Sequence, residues 1–348
     1  MTSLRKRRWR TLGKLKEKTK HMQMNKGVML ACLLACVSIG TKAQDKSVEP
    51  KGKAIIQVFG NFNTGFGAQN DVRGFELERS YLGYEYNLGN GLTIKSVMDM
   101  GKSSDVSDNQ RIAYVKNAMI TWKKEKFTLN GGLIPTTQFN FQEKLWGYRY
   151  IMKDFQDLYK FGHSADLGIS VAYKFNKIVS VDAVILNGEG FKKLQKNDGL
   201  NYGAGITITP IEGLSIRLYA GINEGADKSQ KDIVNFAAFA GYKGKNFTIG
   251  AEYNKMNNGS YKQGADQEGY SIYTTVKVSS KTDLFGRYDN LCSKDNWNIS
   301  KDEQAAIAGA QFKLGKYVKL APNFRVNIPK ADDADNKYAA YLSFYFGL

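Results

Sequence analysis

From residue 53 to the end, the chain alternates apolar and polar side chains in segment after segment. A period of two produces two distinct faces only in an extended strand, so most of the chain is committed to β structure. In 214–222, Leu214, Ile216, Leu218, Ala220 and Ile222 fall on one face, and Ser215, Arg217, Tyr219 and Gly221 on the other. Sixteen such segments can be marked: 53–61, 74–87, 92–100, 111–122, 126–134, 166–175, 178–187, 199–209, 213–222, 232–243, 245–254, 269–279, 282–290, 304–314, 316–328 and 337–347. Most have the length of a strand that crosses hydrocarbon at a tilt.

The connections carry the topology. Short ones at 89–91, 123–125, 176–177, 210–212, 244, 280–281 and 315 alternate with long ones at 62–73, 101–110, 135–165, 188–198, 223–231, 255–268, 291–303 and 329–336. This predicts an even-stranded meander with both termini on the short-turn side. The fold expected over 53–348 is all-β, a transmembrane antiparallel up-and-down barrel of about sixteen strands in a bacterial outer membrane. A soluble sandwich would not sort its loops by length onto two sides, and sixteen strands exceed its usual sheets. A closed barrel leaves no edge and pairs every backbone group in hydrocarbon. Tyr84, Tyr86, Trp122, Tyr173, Phe175, Tyr242, Tyr253 and Tyr338, near strand ends, fit an interfacial girdle.

The net charge of +17 suggests a nucleic-acid binder at first sight. Residues 1–43 hold eleven basic side chains against one acid, which accounts for ten of those charges. Within them, Lys26 precedes the apolar run 28–40, and Thr41-Lys42-Ala43 ends with small residues at −3 and −1. That run is too short to span a bilayer as a helix, and the arrangement is that of a cleavable signal peptide over 24–43, cut after Ala43. Residues 1–23 then read as an upstream start-site extension, and 44–52 as a periplasmic N-terminal segment. The nucleic-acid reading leaves with the leader. Cys32 and Cys36 leave too, so the single remaining thiol, Cys292, forms neither an internal disulfide nor a zinc site.

The third long connection, 135–165, is the outlier in length, and it is the candidate constriction loop. Tyr148, Ile151, Met152, Phe155, Leu158 and Tyr159 recur at three-to-four spacing, which predicts a short amphipathic helix within 146–161 that covers an apolar surface. If the apolar strand faces point to lipid, the inward set includes Arg79, Lys95, Lys174, Arg217, Lys277, Arg287, Lys319 and Arg325. The acids on that face are fewer: Glu85, Asp99, Asp182, Glu252, Asp283 and Asp289. A basic excess in a narrow passage favours anions. Arg79, Lys95, Arg217, Lys277, Arg287, Lys319 and Arg325 are therefore the pore-lining candidates.

Enzymatic signals are thin. His163, in Phe161-Gly-His-Ser-Ala-Asp166, is the one histidine of the mature chain, and adjacent loop residues rarely supply triad geometry. There is no phosphate-binding loop or dinucleotide fingerprint, and Asp332-Asp333-Ala334-Asp335 lacks the glycine and closing glutamate of a calcium loop. No cofactor or metal is expected.

Three stretches resemble the Gram-negative porins, specifically the phosphate-selective porin O/P-like group of the Bacteroidetes type. They are Gly74-Phe-Glu-Leu-Glu-Arg-Ser-Tyr-Leu-Gly-Tyr84, Ala118-Met-Ile-Thr-Trp122 leading to Gly131-Gly-Leu-Ile-Pro135, and Leu284-Phe-Gly-Arg-Tyr-Asp289. The resemblance implies a homotrimeric channel whose third loop folds inward. Arg79, Arg287 and the basic residues of 144–160 (Lys144, Arg149, Lys153 and Lys160) would contact solute. The chain departs from the group in ending Phe346-Gly-Leu348 and in lacking a dense basic ladder. The function expected is passive diffusion of small hydrophilic solutes with a modest preference for anions such as phosphate. Outer-membrane lipid and lipopolysaccharide would surround the barrel. The alternatives are a surface receptor or adhesin built on a plugged barrel, or a barrel-borne hydrolase using His163.

Overall fold

The computed structural model describes residues 51–348 apart from 70, 104, 105 and 228. The predicted extension, the signal peptide and most of the 44–52 segment lie outside the described residues.

Sixteen strands form one ring among the described residues. They are β1 (Lys51–Gly67), β2 (Arg73–Gly89), β3 (Leu92–Ser103), β4 (Ser107–Lys124), β5 (Phe127–Pro135), β6 (Ala165–Lys174), β7 (Val179–Leu186) and β8 (Asn201–Ile208). The ring continues through β9 (Leu214–Asn223), β10 (Ile233–Lys243), β11 (Phe247–Asn257), β12 (Gln267–Lys277), β13 (Thr282–Ser293), β14 (Glu303–Lys313), β15 (Val318–Pro329) and β16 (Lys337–Gly347). Each strand pairs antiparallel with its neighbours, and β1 closes on β16 from Gln57↔Gly347 to Gly67↔Lys337. The expected closed up-and-down barrel is what forms.

The two faces separate as the alternation predicts. On β9, Ile216, Leu218 and Ile222 are 38%, 44% and 45% exposed, whereas Arg217 and Tyr219 between them are 3% exposed. This is an inverted protein, oily outside and polar inside, which is the arrangement a hydrocarbon solvent selects. Short turns join strands at the end where β1 begins. At the β2–β3 turn, Gly91 has φ +78°, and a Cβ there would lie 2.0 Å from the Lys123 carbonyl oxygen, so only glycine fits.

Two connections differ from expectation. Residues 62–67 and 101–103 were expected in long loops but extend β1 and β3, and β4 begins at Ser107. The asparagines of this part of β1 face the interior. Asn61 donates from Nδ2 to Glu78 Oε1 at 2.7 Å, and Asn63 donates to Asn61 Oδ1 at 2.8 Å. Inward polarity does not end a strand whose ladder bonds are intact.

The segment between β5 and β6 also differs in detail. Instead of one helix within 146–161 it holds α1 (Asn140–Trp146), a turn over 148–152 and α2 (Phe155–Leu158). Gly147, at φ +72°, ends α1, and its N–H caps the Glu143 carbonyl. Asp154 then starts α2 by accepting from Gln156 N at 2.9 Å. The apolar side chains do cover a surface, and that surface is the inside of the barrel. Trp146, Tyr148, Tyr150 and Ile151 bury against Phe59, Tyr81, Val97, Phe239, Tyr273, Phe285 and Ile307. Trp146 makes edge contacts with Tyr273 (5.0 Å) and Phe285 (6.4 Å). A second cluster packs Phe155 and Phe161 on Met256 and Leu291. The apolar core of this protein sits in the lumen, between one loop and the wall.

Candidate functional site: the barrel interior

Three inward arginines hold the 135–165 segment by its backbone. Arg217 donates from Nη2 to the Thr137 carbonyl at 2.7 Å, Arg287 from Nη1 to the Lys153 carbonyl at 2.6 Å, and Arg325 from Nη2 to the Ile151 carbonyl at 2.8 Å. Two of these guanidiniums are also paired with a carboxylate. Arg217 binds Asp182 through both terminal nitrogens at 2.6 and 3.0 Å, and Arg287 binds Asp289 through Nε and Nη2 at 2.8 and 2.7 Å. Arg325 lies 3.7 Å from the Tyr341 ring centroid. The loop hydroxyls add Tyr150 Oη to Gln311 Oε1 at 2.9 Å and Tyr159 Oη to Glu303 Oε1 at 3.0 Å. Because an arginine presents donors in a fixed fork, one side chain can satisfy a carboxylate and a carbonyl together.

What remains open lies beside the loop. A cavity of about 370 Å³ at the short-turn end is lined by Gln57, Lys95, Lys116, Lys319 and Tyr345. One of about 390 Å³ at the opposite end is lined by Gln69, Arg79, Lys153, Arg325 and Lys337. Phe59, Arg149 and Tyr150 line both. A third, of about 610 Å³, shares Arg79 and Lys153 with the second and adds Lys102, Lys160, Lys192 and Lys193. A fourth, of about 1130 Å³, lies around Lys144, Lys174 and Arg217.

Between the first two cavities the charges interlock. Arg149 reaches Glu143 Oε2 from Nε at 3.0 Å and Asp157 Oδ2 from Nη2 at 3.2 Å. Arg79 Nη1 binds Asp99 Oδ2 at 2.6 Å. The Tyr81 hydroxyl accepts from Arg79 at 3.4 Å and lies 3.5 Å from Arg149 Nη2. Lys116 donates to Ser164 Oγ at 3.0 Å, with its ammonium 5.4 Å from the centre of the Tyr81 ring. On the loop, burial would raise the Asp157 carboxyl, but Arg149, Lys153 and Lys116 outweigh it and hold it below its ordinary value. Burial raises Glu143, with Arg149 only partly offsetting it. Burial lowers Lys153, opposed by Asp157.

The predicted residues thus divide into groups. Arg79, Lys95, Lys319, Arg149 and Lys153 border the cavities on either side of the loop. Lys95 also lies 3.7 Å from Glu85. Arg217 and Arg287 face inward but are 3% and 5% exposed. The loop and Asp289 take all three nitrogens of Arg287, whereas among the described residues Arg217 keeps Nε without a partner, and it also borders the fourth cavity. Arg325 both binds the loop and borders a cavity. Lys277 is exposed at the end of β12, in register with Asp283, and Lys144 and Lys160 are exposed on the loop. His163 borders the 610 Å³ cavity, while Asp166 spends its carboxylate on the N–H groups of Leu167 and Gly188 at 2.7 Å each.

Sequence reasoning missed Lys116, Tyr81, Glu143 and Asp157. The ladder shifts register between Val97↔Asn117 and Met98↔Val115, which turns both Lys116 and Asn117 towards the cavity. The signal for that bulge was the break in outward apolar parity between Val115 and Ala118.

No family model and no curated protein sequence matches the chain. Solved structures do. An anion-selective porin from Comamonas acidovorans superposes with TM-score 0.65 at 12% identity, over 86% of this chain and all of its own. OprB of Pseudomonas putida gives TM-score 0.67 at 12% identity, over 85% and 94%. OmpT of Vibrio cholerae, described as expressed in the outer membrane, gives 0.61 at 15% identity, over 87% and 99%. At such identities the likeness is one of fold, and the fold is that of the outer-membrane porin barrels.

Proposed function

We propose that this protein is an outer-membrane channel for passive diffusion of small hydrophilic solutes, with a preference for anions. The observation that carries this reading is that cavities at opposite ends of the barrel share Phe59, Arg149 and Tyr150 in their walls. A barrel built only to display loops would have no need of aligned cavities on both sides of an inward segment. The 135–165 segment is then the constriction, and Arg79, Lys116 and Arg149 its charged rim.

The anion preference follows from the walls. Basic side chains outnumber acids four to one in the short-turn cavity, where Glu143 stands alone, and five to two in the opposite one. In a water-filled passage with low-dielectric walls, such an excess sets a positive potential. Phosphate is one solute of this class. The apolar outer belt faces outer-membrane lipid and lipopolysaccharide, and the chain assembles as a homotrimer after export on the 24–43 leader. Planar-bilayer recordings of the purified mature chain under a salt gradient test the proposal. Discrete conductance steps with an anion-directed reversal potential are expected; a barrel that inserts without conducting sinks the channel reading, and a cation-directed potential sinks the charge reading.

A further inference from the structure

The cavity of about 610 Å³ on the long-loop side is bordered by two unlike sets of side chains. One set carries charge. Lys160, Lys192 and Lys193 form no ion pair among the described residues, although the Lys192 ammonium lies 5.0 Å from the centre of the Tyr114 ring. The acids of the same cavity are already engaged. Asp157 is held by Arg149 and Lys153, Asp166 by the N–H groups of Leu167 and Gly188, and Glu189 by Asn197 Nδ2 at 3.2 Å.

The other set carries amides. Asn201 on β8 stands opposite Asn223 on β9, and Asn235 follows on β10, two residues from the Ile233 that also pairs with Asn223. Parity turns all three inward, and all three border the cavity. Asn223 donates to the Gly188 carbonyl at 3.2 Å. Asn235 is 6% exposed, and its amide oxygen has no hydrogen-bond donor among the described residues. A buried acceptor left without a donor is costly, so this row suits a ligand that brings O–H or N–H groups.

We propose that this cavity is a binding subsite for an acidic monosaccharide, whose phosphate or carboxylate faces the lysines and whose hydroxyls face the asparagines.

An inorganic anion would use only the first set and a neutral sugar only the second. A sugar that carries an anionic group uses both. Its C–H faces would lie on the half-buried Phe191, whose backbone is fixed because its N–H donates to the Ala165 carbonyl at 2.9 Å. The volume falls within the range of small-molecule sites, about 300–1,000 Å³. The asparagines stand on paired strands, so little ordering is needed on binding. The role in transport rests on the channel reading: Arg79 and Lys153 border both this cavity and the next one towards the constriction, and a captured solute would pass along them.

Titration calorimetry on the mature barrel in detergent, at low ionic strength, tests the subsite without any conductance measurement. The probes are glucose 6-phosphate, glucuronate, glucose, inorganic phosphate and acetate. Each acidic sugar should bind at least about tenfold more tightly than glucose and than its bare anion. Asn235→Ala should cut that advantage about fivefold and leave inorganic phosphate unchanged. The double variant Lys160→Gln/Lys193→Gln should weaken acidic sugars and bare anions alike. Equal affinity for glucose 6-phosphate and inorganic phosphate, or for glucuronate and glucose, overturns the proposal. So does a folded Asn235→Ala protein that keeps the full advantage, or a double lysine variant with unaltered affinities. Both lysines are exposed, so the double variant still decides if Asn235→Ala fails to assemble. Preferential binding by a barrel that does not conduct keeps the subsite and sinks the channel reading; conductance without preferential binding does the reverse.

Discussion

Arg287, on the wall, donates to the backbone carbonyl of Lys153, on the loop, at 2.6 Å while its other two nitrogens hold Asp289. One side chain therefore fixes the loop and neutralises a fully buried acid. Arg287→Ala should strand that carboxylate and cost about 3–5 kcal/mol, as removal of one partner of a buried pair does. Thermal unfolding of the refolded barrel checks this. An unchanged midpoint would mean that Asp289 finds another partner.

Trp146 is the largest fully buried side chain of the inward segment. Trp146→Ala should weaken docking of the loop by about 3–5 kcal/mol through lost packing against Tyr273 and Phe285. Limited proteolysis would then cut within 135–165 while the strands persist. Wild-type resistance to cleavage would count against apolar packing as the main anchor.

Arg149 stands in the walls of both opposed cavities and is paired with Glu143 and Asp157. Arg149→Ala leaves both acids without their shared partner and should lower the anion-to-cation permeability ratio by about tenfold, about 1.4 kcal/mol of charge stabilisation. Lys277→Ala, at the exposed end of β12, should shift the reversal potential far less. Equal shifts would show that overall charge, rather than charge at Arg149, sets selectivity.

The two acids at Arg149 should titrate apart. Burial holds the Glu143 carboxyl above its ordinary value, whereas Asp157 stays below its own because Arg149, Lys153 and Lys116 overcome its burial. On acidification from about pH 7 to about pH 3, Glu143 loses its charge first and Asp157 last. Each loss makes the rim more positive, so anion preference should rise in two stages. Glu143→Gln should start at the higher value and lack the first stage. A single stage, unaltered in that variant, would remove Glu143 from the rim.

The strands were legible because alternation is a local signal: Leu214 to Ile222 reads the same in the sequence and in the barrel. The interior was legible only as a face. Parity shows that Arg217 and Arg287 point inward, but it cannot show that the inside is occupied by a loop whose carbonyls both arginines bind, while Arg217 also borders a cavity. Lys116 was hidden by a bulge that slips parity by one. Tyr81 was hidden by its neighbours Tyr84 and Tyr86, whose outward aromatics made tyrosine look like a girdle residue. The helix expected over 146–161 broke at Gly147, because the apolar spacing was set by the wall it meets rather than by a helical turn.

Fifteen of the sixteen strand pairings join strands adjacent in sequence, and the other joins Gln57–Gly67 to Lys337–Gly347. Hairpins can zip early, but that last seam waits for the whole chain. The segment gripped by Arg217, Arg287 and Arg325 enters from between β5 and β6 and rests on β9, β13 and β15. It must therefore be swallowed while the ring is still a curling ribbon, or else be threaded through a finished cylinder. The first order of events makes the plug a mandrel: the sheet rolls up around it, and its aromatic surface sets how tightly the cylinder can close.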